Sequence, residues 1–155
     1  MLPAGPSVID VMANAAFYYG ALRALSEDDR PVWTKMTFAT AHDNFLEGAR
    51  RGAEARMYWP GVGEITADEL TLRHLLPMAH EGLQRWGVAT EVRDRYLGVI
   101  EARAKSGING AAWQTHTVGA LEERGLTRKA ALSEMLRMYC EHMHSNEPVH
   151  TWKLI

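Results

Sequence analysis

The chain has 155 residues, 46% hydrophobic and 23% charged, which suits one globular domain over residues 1–155 and argues against disorder. Lysine and arginine number 17 against 19 acidic residues, a net charge of -2 that gives no global basic footprint for nucleic acid. Cys140 is the only cysteine, which leaves no internal disulfide or Cys-x-x-Cys site and fits a reducing compartment. No apolar run approaches the ~20 residues of a bilayer span, and residues 1–6 carry no basic n-region. The expectation is a cytoplasmic chain with no membrane partner.

Ser7 opens the first helix, and Asp10 three residues on completes a variant capping box. Over residues 8–25 the strongly polar side chains are Asp10, Asn14 and Arg23. A helix so apolar on all sides is expected to be central and covered by several neighbours. Asp10 and Asn14, four apart, form one narrow polar line along it. After a polar break at residues 26–31, a second helix is expected over residues 37–51, with Phe38, Ala41, His42, Phe45 and Ala49 on one face and Gly52 at its end.

Residues 58–63, Tyr-Trp-Pro-Gly-Val-Gly, read as an aromatic-rich loop. Thr66 and Glu69 have capping-box spacing for a third helix ending near Trp86, which Pro77 should kink or divide. A fourth helix follows over residues 91–105, with Val92, Tyr96, Val99 and Ile100 on its apolar face. Residues 106–110 form a turn before a fifth helix over residues 111–124. A sixth starts at a Thr127 cap, carries Leu132, Met135, Leu136, Tyr139 and Met143 on one face, and leaves an extended tail after Pro148. No convincing strand pair or repeat is visible, so the fold class is all-α: about six helices in one compact orthogonal or bundle-like domain.

The histidines invite a metal reading. Cys140, His142, His144 and His150 lie within eleven residues, and Glu141-x-x-His144 matches half of a di-iron carboxylate motif. At about 100° per residue, however, His142 and His144 point roughly 200° apart on a helix. No second Glu-x-x-His lies on a helical stretch, since Glu147-Pro148-Val149-His150 falls where Pro148 closes the last helix, and no His-x-x-x-His pair occurs. No metal site is assigned, and surface or hydrogen-bonding histidines are expected. His42, on an apolar helical face, is read as a core histidine, and His74 and His80 as structural. The chain also lacks a Gly-x-Ser-x-Gly elbow, a Walker loop and a dinucleotide fingerprint.

Arginine is the more informative residue type. Arg50, Arg51 and Arg56 cluster around the end of the second helix, and Arg93, Arg95 and Arg103 lie on the fourth. The guanidinium fork suits phosphate or carboxylate, although spacing alone favours a solvated face paired with Glu47, Glu54, Glu91 and Glu101. Of the five tryptophans, Trp59 and Trp113 are candidates for pocket walls or contacts with another domain, whereas Trp33 and Trp86 are expected in the core.

Several segments, taken in order, resemble the C-terminal part of the bacterial glutamate–cysteine ligase family. They are residues 2–8, Leu-Pro-Ala-Gly-Pro-Ser-Val, leading into Asp10 and Asn14; Asp43-Asn44 with Ala49-Arg50-x-Gly52; and Leu75-Leu76-Pro77-x-Ala79. Arg103 with Gly107, residues 110–114 (Gly-Ala-Ala-Trp-Gln) and residues 147–152 (Glu-Pro-Val-His-Thr-Trp) complete the set. The resemblance implies an ATP- and Mg²⁺-dependent carboxylate–amine ligase, which activates a glutamate-like carboxylate as an acyl phosphate before an amine displaces phosphate. It carries Asn44, Arg50 and Arg103 over as nucleotide or phosphate contacts, a role for which cations suit the charge of phosphoryl transfer. The chain departs from the family pattern at Glu47, often basic there, and at Arg51, often aromatic.

The family's metal-binding acidic residues lie on an N-terminal antiparallel sheet that this sequence does not display. The resemblance therefore implies a helical portion, inactive by itself, that works with an N-terminal catalytic portion or a separate catalytic chain. Two other readings stand beside it: a stand-alone helical binding or oligomerisation module without catalysis, and a metal-dependent helical-bundle enzyme. An exposed apolar surface and self-association would favour the incomplete ligase over the stand-alone module.

Overall fold

The computed structural model describes residues 5–155. Helix α1 (Val8–Ser26) leads through a 3-10 turn (Val32–Thr34) to α2 (Phe38–Arg51) and a short hairpin of β1 (Arg56–Trp59) and β2 (Gly63–Thr66). Helix α3 (Ala67–Leu70) runs through a π-turn (Thr71–Leu75) into α4 (Leu76–Arg85). Then come α5 (Thr90–Ser106), α6 (Gly110–Glu123), α7 (Arg128–Ser145) and a final 3-10 turn (Val149–Thr151). The mostly α-helical architecture agrees with the expectation. The helix boundaries fall where the punctuation placed them, with Gly52, Gly87, Gly107 and Gly125 all at positive φ.

One packing contact organises the centre. Helix α1 lies against α4 and, less extensively, against α5. The crossing with α4 is made of small residues: a Cβ on Gly82 would fall 1.9 Å from the Gly20 carbonyl oxygen, and one on Gly20 only 2.4 Å from that of Ala79. Around this crossing Ala13, Leu76, Leu83, Leu97 and Ile100 are buried together. Trp113, Val149 and Trp152 make a second cluster, and Val118, Leu121 and Ala131 a third.

Several expectations are corrected. Helix α1 is covered on one side only: Val8, Val11, Met12, Tyr18, Tyr19 and Leu22 are exposed, because the small-residue crossing uses a single arc of the helix. The apolar face of α2 points outward, with Phe38 84% and Phe45 73% exposed beside Trp33 at 76%. His42 is therefore no core histidine; it is exposed and stacks on Phe38 at 6.1 Å. The tryptophans are reversed as well: Trp113 is fully buried, whereas Trp33 and Trp86 are exposed. The segment after α7 is not extended but coils into the 3-10 turn, with Val149 and Trp152 buried.

A strand pair is present where a loop was expected. Trp59 pairs with Gly63 and Arg56 with Thr66 in antiparallel register. The turn has Pro60 and Gly61 at its centre, Gly61 at φ +78°, and the Val62 N–H donating to the Trp59 carbonyl at 3.0 Å, the signature of a type II turn. Four residues per strand are too few for alternation to show. Thr66 does stand at the N-cap of α3, but its side chain makes no capping bond there. Its hydroxyl serves the Asp68 carboxyl instead and, with the Glu69 N–H, holds that group below its ordinary range. Pro77 acts as expected: it sits in the first turn of α4, just after the π-turn that separates α4 from α3.

The crossing predicts an asymmetry among glycines. Gly82→Ala should lower unfolding free energy by about 1–3 kcal/mol through overpacking. Gly98→Ala, in α5 with open space around it, should be neutral or stabilising by up to about 1 kcal/mol. Urea denaturation of the two variants checks this, and equal effects would contradict a backbone-limited α1–α4 contact.

Candidate functional site

The site is built outward from Asp10. Its Oδ2 accepts from the Ser7 N–H at 3.3 Å and the Ser7 hydroxyl at 2.8 Å, while the Asp10 N–H donates to Ser7 Oγ at 3.2 Å. This is the expected capping box, and it is fully buried. The same Oδ2 accepts the Val149 N–H at 3.0 Å, which fastens the C-terminal segment to the start of α1. Oδ1 has no hydrogen bond and lies 3.8 Å from Arg103 Nη1, an electrostatic pairing just beyond hydrogen-bond reach.

Helix α5 delivers Arg103 to this point by its period. Ile100 is buried one turn earlier, so Arg103 continues the same inward face near the helix end, where a cation also suits the dipole. Arg103 Nη2 donates to Asn14 Oδ1 at 2.6 Å. The polar line of Asp10 and Asn14 is thus the partner of one arginine from a distant helix. Burial pushes the Arg103 guanidinium below its ordinary value, and Asp10 opposes that shift.

Arg103 and Asn14 border a cleft of about 730 Å³ between α1, the start of α6 and Tyr139 of α7. Its other polar side chains among the described residues are Tyr18, Asn109 and Gln114. Asn109 is the N-cap of α6 and accepts the Ala112 N–H at 3.0 Å. Gly110 must be small here, since a Cβ would meet Pro6 Cγ at 2.9 Å. Phe17, Leu22, Leu25 and Leu75 make the rest of the wall mostly apolar, with the half-exposed Tyr18 among them. Burial raises the Tyr139 hydroxyl above its usual range, with Asp10 adding to the shift, so Tyr139 remains a donor.

The expected site residues separate into two places. Asn44 and Arg50 share a smaller groove between α2 and the hairpin, lined by three carboxylates (Asp43, Glu47, Glu64) and two guanidiniums (Arg50, Arg56). Asn44 spends both ends of its amide on the hairpin: Nδ2 donates to the Tyr58 carbonyl and Oδ1 accepts the Tyr58 N–H, each at 2.8 Å. Arg50 is exposed at the last turn of α2. The two departures from the family pattern pair with each other, Arg51 Nε lying 2.6 Å from Glu47. Arg103 belongs to the larger cleft instead.

The C-terminal histidines serve packing. His142 stacks on Trp152 at 5.0 Å and meets Trp113 edge-on at 5.6 Å. His144 is exposed. Among the described residues no group of three His, Cys, Asp or Glu gathers as a metal site. The indoles stitch the tail down, with Trp113 Nε1 donating to the Lys153 carbonyl at 3.2 Å and Trp152 Nε1 to that of Glu147 at 2.9 Å.

Asn109 and Tyr139 were not singled out for a site from sequence. Asn109 sits beside the Gly-Ala-Ala-Trp-Gln segment, which was the available signal; Tyr139 offered only its place on an apolar face. Residues 2–4 of the first motif lie outside the described residues. No family model, curated protein or solved structure matches this chain. No described helix is long and apolar enough to cross a membrane.

His150 supplies a test of the network. Its Nδ1 is buried without a hydrogen bond, and burial lowers its pKa below 6.5, with Arg103 also lowering it and Asp10 opposing. The folded state therefore resists the proton that the unfolded chain accepts. His150 should contribute stability in full above pH 6.5 and lose it as pH falls below that value. Urea unfolding at pH 7.5 and 5.5 should show a drop that His150→Gln reduces; an unchanged drop would place the titration elsewhere.

Proposed function

We propose that the chain is the helical portion of a glutamate–cysteine ligase-like enzyme, which joins a glutamate-like carboxylate to an amine with ATP. The supporting observation is convergence. Asn14, Arg103 and the Gly110–Gln114 start of α6 carry the resemblance and border one cleft; Asp10 and the Glu147–Trp152 segment, which also carry it, attach to that border through Arg103, Val149 and Trp113. In this reading Arg103 binds and orients an anionic group, Asn14 holds the guanidinium, and Asp10 favours its charged form. The apolar wall keeps water away from that contact.

The cleft fits a phosphate or carboxylate but not a magnesium ion. Among the described residues its lining contains no carboxylate, and Asp10 is buried next to Arg103. Magnesium prefers oxygen ligands and usually takes one or two carboxylates, so its site belongs to another portion or chain. ATP, when bound, supplies the phosphoryl group that activates the carboxylate. The outward faces of α1 and α2 support such a partner. Val8, Val11 and Met12 on one helix and Phe38 and Phe45 on the other are apolar surfaces of the kind that mark an interface.

A stand-alone binding module without catalysis is the second reading. The hairpin's full use of the Asn44 amide and the excess of carboxylates around Arg50 favour it.

Calorimetric titration with Mg-ATP, with light scattering for assembled mass, separates the two. The ligase reading predicts saturable heat, lost in Arg103→Gln and weakened in Arg50→Ala, together with self-association that Phe45→Glu reverses. No ATP binding by a chain of defined monomeric mass would leave the binding module as the better account.

A further inference from the structure

The cleft's lining joins a polar group to a mostly apolar stretch of α1. Asn14 is bonded to Arg103, Tyr139 lies within electrostatic reach of Asp10, and Asn109 and Gln114 line the same cleft, while Tyr18 is the one hydroxyl on the α1 stretch among the described residues. From Asn14 the wall follows α1 through Phe17 and Leu22 to Leu25, about 16 Å along the helix at ~1.5 Å per residue. Arg103 is the one charged side chain in the lining among the described residues. A volume of about 730 Å³ lies within the range of small-molecule sites.

We infer that this cleft binds an amphiphilic carboxylate, its head on Arg103 and Asn14 and its apolar body along the α1 wall. A free dicarboxylate such as glutamate would leave that wall unused and bring a second charge to it unpaired. An extended peptide is a poorer occupant, because the wall from Phe17 to Leu25 presents apolar side chains to a backbone that needs hydrogen-bond partners. The head finds what a carboxylate requires: a fork already oriented by Asn14, and amide and hydroxyl donors from Asn109, Gln114 and Tyr139. The start of α6 adds its positive dipole end on the same side. This goes beyond the ligase reading and does not depend on nucleotide binding.

Titration calorimetry with decanoate below its micelle concentration tests the inference, with hexanoate, decanol and glutamate as comparators. Decanoate should saturate at one site per chain. Affinity should fall roughly tenfold for each two methylenes removed, at about 0.8 kcal/mol per buried CH₂. Decanol should bind at least tenfold more weakly than decanoate, and glutamate more weakly still. Arg103→Lys keeps the charge but loses the fork, and should weaken decanoate severalfold.

Because Arg103 also offsets Asp10, Leu22→Glu at the exposed rim is the second variant. It should lower decanoate affinity tenfold or more with the thermal transition unchanged. Absence of saturable decanoate binding, equal binding of decanol, or indifference to Leu22→Glu would each overturn the inference. So would a dimer that must dissociate before decanoate binds, since the groove would then belong to a second copy. Mg-ATP binding without decanoate binding would leave the ligase reading standing and remove this one.

Discussion

A carboxylate with no exposure to water has to be neutralised by what surrounds it, and Asp10 is that group. Isolated burial of the charge would cost several kcal/mol or force protonation. The chain meets the demand with Ser7 before the helix, Val149 after the last one and Arg103 on α5. Three parts of the sequence that are otherwise far apart are tied to one side chain. Removing either member of such a pair strands the other, typically at about 3–5 kcal/mol. The interaction works more as a constraint on where the segments sit than as a net gain over an apolar core.

That constraint also explains where the cleft lies. The α1–α4 crossing, closed by Gly20, Ala79 and Gly82, fixes one face of α1 and leaves the flank bearing Asn14, Tyr18 and Leu22 uncommitted. Asp10 draws the C-terminal segment to the start of α1, and the indoles of Trp113 and Trp152 hold it there. With α4 on one side and the tail at one end, α6 and α7 border the open flank without closing it. The cleft is a consequence of two strong local demands that cannot both be met by full packing.

Much of this was legible in the sequence. Helix existence and ends followed from Ser7 and Thr127 as caps and from Gly52 at a far end, because those signals are local. The polar line of Asp10 and Asn14 was visible in the spacing, whereas its pairing with Arg103, from a helix far along the chain, was not. What could not be read was which apolar face meets a neighbour. Phe38 and Phe45 form as regular a stripe as any core helix, yet they face outward, since periodicity reports amphipathicity and not the presence of a partner. The tryptophans failed for the same reason: Trp113 and Trp33 differ in tertiary surroundings, not in type. The hairpin was too short for its alternation to register.

The two groups of exposed apolar residues ask for different occupants. On α2, Phe38 and Phe45 project from the surface with His42 beside them and no buried charge beneath, which suits contact with another folded surface. On the flank of α1, the apolar residues line a concavity that ends on a guanidinium held by Asn14 and a buried carboxylate. A flat surface laid over that concavity would strip the remaining water from Arg103 and leave its charge resting on Asn14 and Asp10 alone, a desolvation cost that the outward face of α2 does not carry.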